Sequence, residues 1–259
     1  MPWDPDRYHQ FKKERSAPFE DLFRLVKVRP GMRVIDLGCG TGELTRELAD
    51  RLPDSRVTGI DSSPEMLERA ELLRRPGLDF VQGDLAQVSG EWDLVFSNAA
   101  IQWVSDHERL IPRLFNLVAP GGQLVVQLPS NHNHPSHQLI RQIASEEPFC
   151  TALGGWQRRS PVLSIEQYAD LLYRSGGEDL QVFEKIYPHI LAGADAIADW
   201  TSGTALVPYF ERLSPEMREQ FMERYRQALR QLWPAGPVLY AFRRTLFAAV
   251  RPQRLTAVG

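Results

Sequence analysis

The 259 residues carry a formal net charge of −3, with 43% hydrophobic and 24% charged side chains, proportions of an ordinary globular chain and not of a disordered one. That balance gives no global pull toward nucleic acid or an anionic membrane, and two cysteines, Cys39 and Cys150, are too few for a disulfide framework. The start, MPWDPDRYHQFKKERS, lacks the apolar centre and small-residue site of an export signal, and no stretch nears the ~20 apolar residues of a spanning helix. The expected compartment is the cytoplasm, with neither nucleic acid nor membrane as partner.

In chain order, PFEDLFRLVKV at 18–28 spaces Phe19, Leu22, Phe23 and Val26 as a helix face, with Pro18 in its first turn. Pro30-Gly31 breaks it, and RVIDL at 33–37 reads as a buried strand. A helix over Glu43–Leu52 stops at Pro53. VTGID at 57–61 is a second strand, and Ser63-Pro64 caps and opens the next helix. Strands follow at 78–84 and 92–100, then a helix from about Asp106 to Val118 ending at Pro120-Gly121-Gly122, then a fifth strand at 122–129. Strands alternating with helices, each strand mostly apolar, predict a parallel sheet covered on both faces. The last third differs: strands at 179–191 and 240–250 suit an antiparallel edge, and helices over Ala194–Gly203 and Pro215–Trp233 lie between them. The expected fold is α/β, a doubly wound, mostly parallel seven-stranded sheet of Rossmann-like type. A single domain over 1–259 would hold a helical cap (1–29), a cofactor-binding core (30–150) and a helical lid (192–236), closing on a short frayed tail from Gln253.

VIDLGCGTGELT at 34–45 is the strongest local signal. Gly38, Gly40 and Gly42 follow a strand and open a helix, where glycine permits positive φ and close approach of a ligand to the backbone. A dinucleotide site would place a third small residue where Glu43 stands, beside a pyrophosphate that its carboxylate would repel. No lysine follows the last glycine, which excludes a P-loop. Asp36 adds negative charge, suited to a cationic ligand without phosphate. Asp61, ending the second strand, stands where an acidic residue accepts from ribose hydroxyls, or else caps the next helix. Asp84 either receives an adenine amino group, with Leu85 donating its N–H, or simply forms a turn. Asn98 lies where the fourth strand opens over the ligand, and Trp103 packs nearby or in the core.

DLGCGTG, GIDSS, GDL and SNAAIQW together resemble the motif series of class I S-adenosylmethionine-dependent methyltransferases, over about residues 33–129. Nearly the whole chain resembles the trans-aconitate 2-methyltransferases, through WDPDRYHQFKKERSAP, GIDSSPEML, SNAAIQWVSDH, QLPSNHNHPSH, YPHILAGADAIADWTSGTAL and LYAFRRTLFAAVR. His132 is one departure, and the doubled Arg243-Arg244 another. The resemblance implies S-adenosylmethionine as cofactor, no metal, and a monomethyl ester of a polycarboxylic acid as product. It implies cofactor positions at Asp36, Gly38, Gly40, Gly42, Asp61, Asp84, Leu85 and Asn98, and Ser62, Met66, Gly83 and Trp103 beside them complete the expected cofactor set.

A carboxylate acceptor is already ionised at neutral pH, so no catalytic base is expected. Its other carboxylates call for arginine forks, for which Arg15 and Arg244 are candidates, though each also reads as surface charge. Tyr187 and His189 share a strand face. Trp200 reads as a pocket wall or lid core, and Tyr8 and Phe11 share a helix face. His132, His134 and His137 form H-x-H-x-x-H, which matches no zinc framework and reads as a loop, either solvated or touching substrate through His137. Amphipathic EMREQFMERYRQALRQLW reads as a lid helix, its polar face mixing Glu with Arg. The alternatives are a methyltransferase for another acid, a carrier-bound acyl group or an amine; a non-catalytic cofactor-binding protein; and a nicotinamide dehydrogenase.

Overall fold

The computed structural model describes the backbone of residues 12–253 and the side chains of residues 17–253. Its elements are α1 Lys12–Phe23, β1 Arg33–Leu37, α2 Glu43–Asp50, β2 Arg56–Asp61, α3 Pro64–Ala70, β3 Leu78–Gln82, β4 Trp92–Asn98, α4 His107–Asn116, β5 Val118–Pro129, α5 Pro135–Ala144, α6 Phe149–Ala152, α7 Ile165–Arg174, β6 Glu178–Leu191, α8 Ala194–Ser202, α9 Val207–Phe210, α10 Pro215–Leu232 and β7 Val238–Val250. The strands form one seven-stranded sheet in the order β3-β2-β1-β4-β5-β7-β6. Pairing is parallel from β3 through β5, and β7 runs antiparallel to β5. The doubly wound sheet and its antiparallel late strand agree with the expectation.

The chain divides into two compact units. One holds Ala17–Pro129, Pro161–Lys185 and the chain from Arg244. The other holds, among the described residues, Ser130–Ser160 and Ile186–Arg243. In the first unit, alternate strand residues feed two cores, because successive side chains point to opposite faces. Val34, Val57, Phe80, Leu94, Phe96, Val125 and Leu246 pack with Phe19 and Leu22 of α1, Leu48 of α2 and Leu67 of α3. On the opposite face Ile35, Val95, Val126 and Phe247 pack with Ile111 and Leu114 of α4 and Tyr168 and Leu172 of α7. The second unit has its own core, in which Ile140 of α5, Ile197 of α8, Leu206, and Phe221 and Tyr225 of α10 are buried together.

Several boundaries differ from expectation for local reasons. Pro18 lies inside α1 instead of opening it; the backbone stays helical there without that N–H, and the helix then unwinds after Phe23 through three-residue turns at Leu25 and Val26. Phe19, Leu22 and Val26 are nonetheless the buried face. Pro120-Gly121-Gly122 does not end the pairing: Gly121 takes φ 77, the register shifts between Trp92 and Leu94, and Gly121 N–H and Gly122 C=O bond to Arg251 at 2.8 and 3.0 Å. The glycines therefore bend β5 and leave it continuous. The histidine segment expected as a loop opens α5 instead, with Pro135 at the first helical position and the His134 ring accepting from Ser136 N–H. No helix among the described residues is long and apolar enough to cross a membrane.

Candidate functional site

The carboxyl ends of β1, β2 and β4 build one cradle in the first unit. Gly38, Gly40 and Gly42 all hold positive φ, at 79°, 55° and 77°, but for different reasons. A Cβ on Gly38 would lie 2.2 Å from Ala100 Cβ, and one on Gly42 would lie 2.8 Å from the Phe80 ring. These two are glycine because the protein closes on them. Around Gly40 a Cβ would meet nothing within 4 Å among the described residues, which leaves room there for the close approach of a ligand.

Asp36 sits beneath this turn with 4% of its surface exposed. Thr45 Oγ1 donates to its Oδ2 at 2.6 Å. Burial pushes its carboxyl up to about 7; the Thr45 bond opposes this and the charge of Asp61 adds to it. The same two carboxylates, together with burial, push the neighbouring Cys39 thiol up. Asp61 accepts from Gly40 N–H at 2.8 Å and from Ser63 N–H at 2.9 Å. One carboxylate thus ties the glycine turn to the start of α3, and each oxygen keeps a further lone-pair site. Ser63 caps α3 as expected, accepting from Met66 N–H at 3.2 Å. Ser62 is exposed. Gly83 N–H donates to Asp61 C=O at 2.9 Å, and a Cβ there would strike Ile60 at 2.7 Å.

Asp84 is exposed and caps the short turn Leu85–Gln87 by accepting from Ala86 N–H at 2.8 Å. Asn98 ends β4, and its buried Oδ1 has no hydrogen-bond partner among the described residues. Ala99, next in the chain, holds φ 56°, a left-handed conformation costing an alanine about 1–2 kcal/mol. Trp103 is 52% exposed, so the core position open to it in the sequence is not where it lies.

The substrate-side candidates divide between the units. Arg244 is 8% exposed on β7 in the first unit, a buried fork and not the surface charge that the sequence left open. In the second unit, His189 lies 4.9 Å from the Trp200 ring and 5.9 Å from Phe242. Tyr187 is buried and alternates with exposed Ile186 and Pro188, so it shares the inward strand face with His189. His137 lies in the first turn of α5, where burial drives its imidazole down to about 3, helped by His134, Arg158, Arg141 and His132. Tyr8 and Phe11 lie outside the described residues. Arg15 falls within α1, with its side chain outside the description.

Three features escaped the sequence reading. Arg141 and Arg158 add positive charge around His137. His107 and Tyr168 are buried together, His107 Nδ1 2.6 Å from Tyr168 Oη and Nε2 2.9 Å from Ile101 C=O. Gln127 of β5 is fully buried with neither end of its amide bonded among the described residues. The signal for it was a polar residue at an inward position of an otherwise apolar strand.

Comparison with known proteins agrees with this picture. Residues 34–122 match the family model described as a methyltransferase domain. The chain is 48% identical to a trans-aconitate 2-methyltransferase of Deinococcus radiodurans, over 98% of this chain and 100% of that one. It is 40% identical to one of Paracidovorax citrulli, over 96% and 98% respectively. Among solved structures, the YcgJ protein of Bacillus subtilis shares the fold at TM-score 0.62 and 12% identity, covering 92% of this chain and 99% of that one. A phosphoethanolamine N-methyltransferase 2 of Haemonchus contortus, solved with S-adenosyl-L-methionine, shares it at TM-score 0.55 and 19% identity, covering 92% and 53%.

Proposed function

Because the chain belongs to the trans-aconitate 2-methyltransferase family, we propose that it methylates a carboxylate of trans-aconitate, using S-adenosylmethionine, to give the monomethyl ester. The observation that carries this reading is Asp36, a buried carboxylate whose side-chain partner among the described residues is the neutral Thr45. An acid held this way at the end of β1 gains from a cationic ligand and is penalised by a phosphate. When bound, S-adenosylmethionine supplies a methyl group activated on a positive sulfur.

The chain's own residues supply binding and orientation. Asp36 and Asp61 are the proposed acceptors for the donor's ammonium and ribose, with Gly38, Gly40, Gly42 and Asn98 around it. Ser62, Met66, Gly83, Asp84, Leu85 and Trp103 complete the proposed cofactor set. The acceptor oxygen arrives ionised, so the new O–C bond forms as the S–C bond breaks and no proton moves. Rate then comes chiefly from holding the reactants in line, an effect of about 7–11 kcal/mol where fully realised. For the acid we propose Arg244 and Arg15 as carboxylate forks, and Tyr8, Phe11, His137, Tyr187, His189 and Trp200 as its other contacts. Acceptor selection falls to the segments read as cap (1–29) and lid (192–236). Two free thiols, Cys39 and Cys150, support a reducing compartment, the cytoplasm.

The test is methyl transfer from labelled S-adenosylmethionine to purified trans-aconitate, with mass analysis of the product. A monomethyl ester is expected. Absence of ester with trans-aconitate and its close tricarboxylate analogues, from protein that binds S-adenosylhomocysteine, overturns the substrate assignment.

A further inference from the structure

β5 carries two glutamines on one sheet face, and they are treated in opposite ways. Gln123 is buried, and its amide is complete: Oε1 accepts from Lys27 N–H and Nε2 donates to Lys27 C=O, both at 3.0 Å. Gln127 lies four residues further along, on the same face by strand alternation. It is fully buried, and neither Oε1 nor Nε2 has a partner among the described residues. Burying an amide without hydrogen bonds is costly, because the water it gives up is not replaced. Natural cores rarely carry this cost without a use for the group.

The register says where the amide lies. Gln127 pairs with Asn98 across β4 and with Leu246 across β7. Directly paired residues point to the same face, so Gln127 stands beside Asn98, whose Oδ1 is also buried without a partner among the described residues, as is Oε1 of Gln102 in the turn that follows β4. Two residues back along β4, Phe96 pairs with Asp36. Asp36 and the amides of Asn98 and Gln127 therefore occupy one face of the sheet, on neighbouring strands. The acid suits a cation, and the amides are neutral. Both ends of the Gln127 amide are open, so either orientation offers an N–H donor.

We infer, building on the carboxyl-methylation reading, that Gln127 donates a hydrogen bond to the reacting carboxylate of the acceptor and fixes its oxygen for attack. The chemistry explains why this partner is an amide and not an arginine. The reaction joins a negative oxygen to a carbon on a positive sulfur and ends with a neutral ester and a neutral thioether, so charge is lost on the way to the transition state. A cation on the attacking carboxylate would stabilise the starting ion more than the transition state and slow the step. A neutral N–H orients the oxygen with far less of that penalty. Arginine forks belong on the carboxylates that do not react.

Two variants test this. Gln127→Leu removes the donor and leaves an apolar side chain of similar bulk. The expected result is a fall in kcat/KM for trans-aconitate of about 10–100-fold, an affinity for S-adenosylhomocysteine within about threefold of the parent, and an unliganded melting temperature that is unchanged or raised. Gln127→Glu keeps the shape but makes donation depend on protonation. Its rate should fall as pH rises through the titration of the new carboxyl, an inflection absent from the parent. Near-parental kcat/KM in both variants overturns the inference, as does a parallel loss of S-adenosylhomocysteine affinity, which would assign the amide to the methyl donor. A lowered melting temperature in the leucine variant, with no new inflection in the glutamate variant, also overturns it, by making the amide structural. A parent protein that methylates no carboxylic acid removes the underlying reading and this inference together, an outcome visible before any variant is made.

Discussion

Asp36 couples stability to pH through one proton. Burial raises its carboxyl to about 7 from an ordinary value of 3.8, so the folded chain binds a proton that the unfolded chain has released. The stabilisation tied to that proton is complete below the ordinary carboxylate value and is lost as pH rises through 7. Above 7 the unliganded protein carries a buried charge at a cost. Asp36→Asn keeps an oxygen for Thr45 and removes the charge, so at pH 8 the unliganded variant should be more stable by roughly 1–3 kcal/mol in chemical denaturation. Its affinity for S-adenosylhomocysteine should fall at least about tenfold if the carboxylate meets the ammonium. For the parent the expectation runs the other way with pH, binding strengthening as pH rises through 7. Titration calorimetry from pH 6 to 8 checks it, and flat affinity would separate Asp36 from the ligand. The glycines offer a second contrast at this scale. Gly42→Ala drives a methyl into Phe80 and should lower stability by about 1–3 kcal/mol. Gly40→Ala meets no atom of the described residues within 4 Å and there costs the left-handed backbone, about 1–2 kcal/mol, so its larger effect should fall on cofactor affinity.

Among the elements, the turn Ile101–Trp103 that follows β4 is held by a buried relay. His107 Nε2–H donates to Ile101 C=O, Tyr168 Oη–H donates to His107 Nδ1, and Leu163 N–H donates to Tyr168 Oη at 3.2 Å. Burial holds His107 below its ordinary value, consistent with a neutral ring in that tautomer. Tyr168→Phe strands a ring nitrogen and a backbone N–H at once. It should cost about 1–3 kcal/mol in urea unfolding, with a smaller loss of activity through the displaced turn. What was legible at this scale followed the strength of the local signal. Long apolar strands and the Ser63-Pro64 start of α3 were visible. The start of α7 was not, although Ser164 and Gln167 form a reciprocal capping box there. α5 was missed because Pro135 reads equally as a turn breaker and as a first helical residue. Gln127 was hidden inside an apolar strand, since a missing hydrogen-bond partner is a property of three dimensions. The positions of Asp36, the glycines, Asp61 and Asn98 were legible because they lie at strand ends that the apolar pattern locates.

At the scale of the whole molecule, the two units have separate cores. The glycine turn, Asp36, Asp61 and Asn98 all belong to the first unit, and Phe221 to the core of the second. Phe221→Ala should destabilise by about 3–5 kcal/mol while leaving S-adenosylhomocysteine affinity within about threefold at temperatures where the variant is folded. A collapse of that affinity would show that the cradle depends on the second core. The strand order carries a consequence of its own. β7, last in sequence among the described strands, lies between β5 and β6, so the sheet is finished by a wedge that leaves the ribosome after every strand it joins. Until residue 238 emerges, a nascent chain exposes two bare ladders of backbone groups at the same time, the condition that invites pairing with a neighbouring chain. Recombinant protein cut before Val238 should therefore collect in inclusion bodies, and slow translation of that last stretch is the moment at which this fold most needs a chaperone.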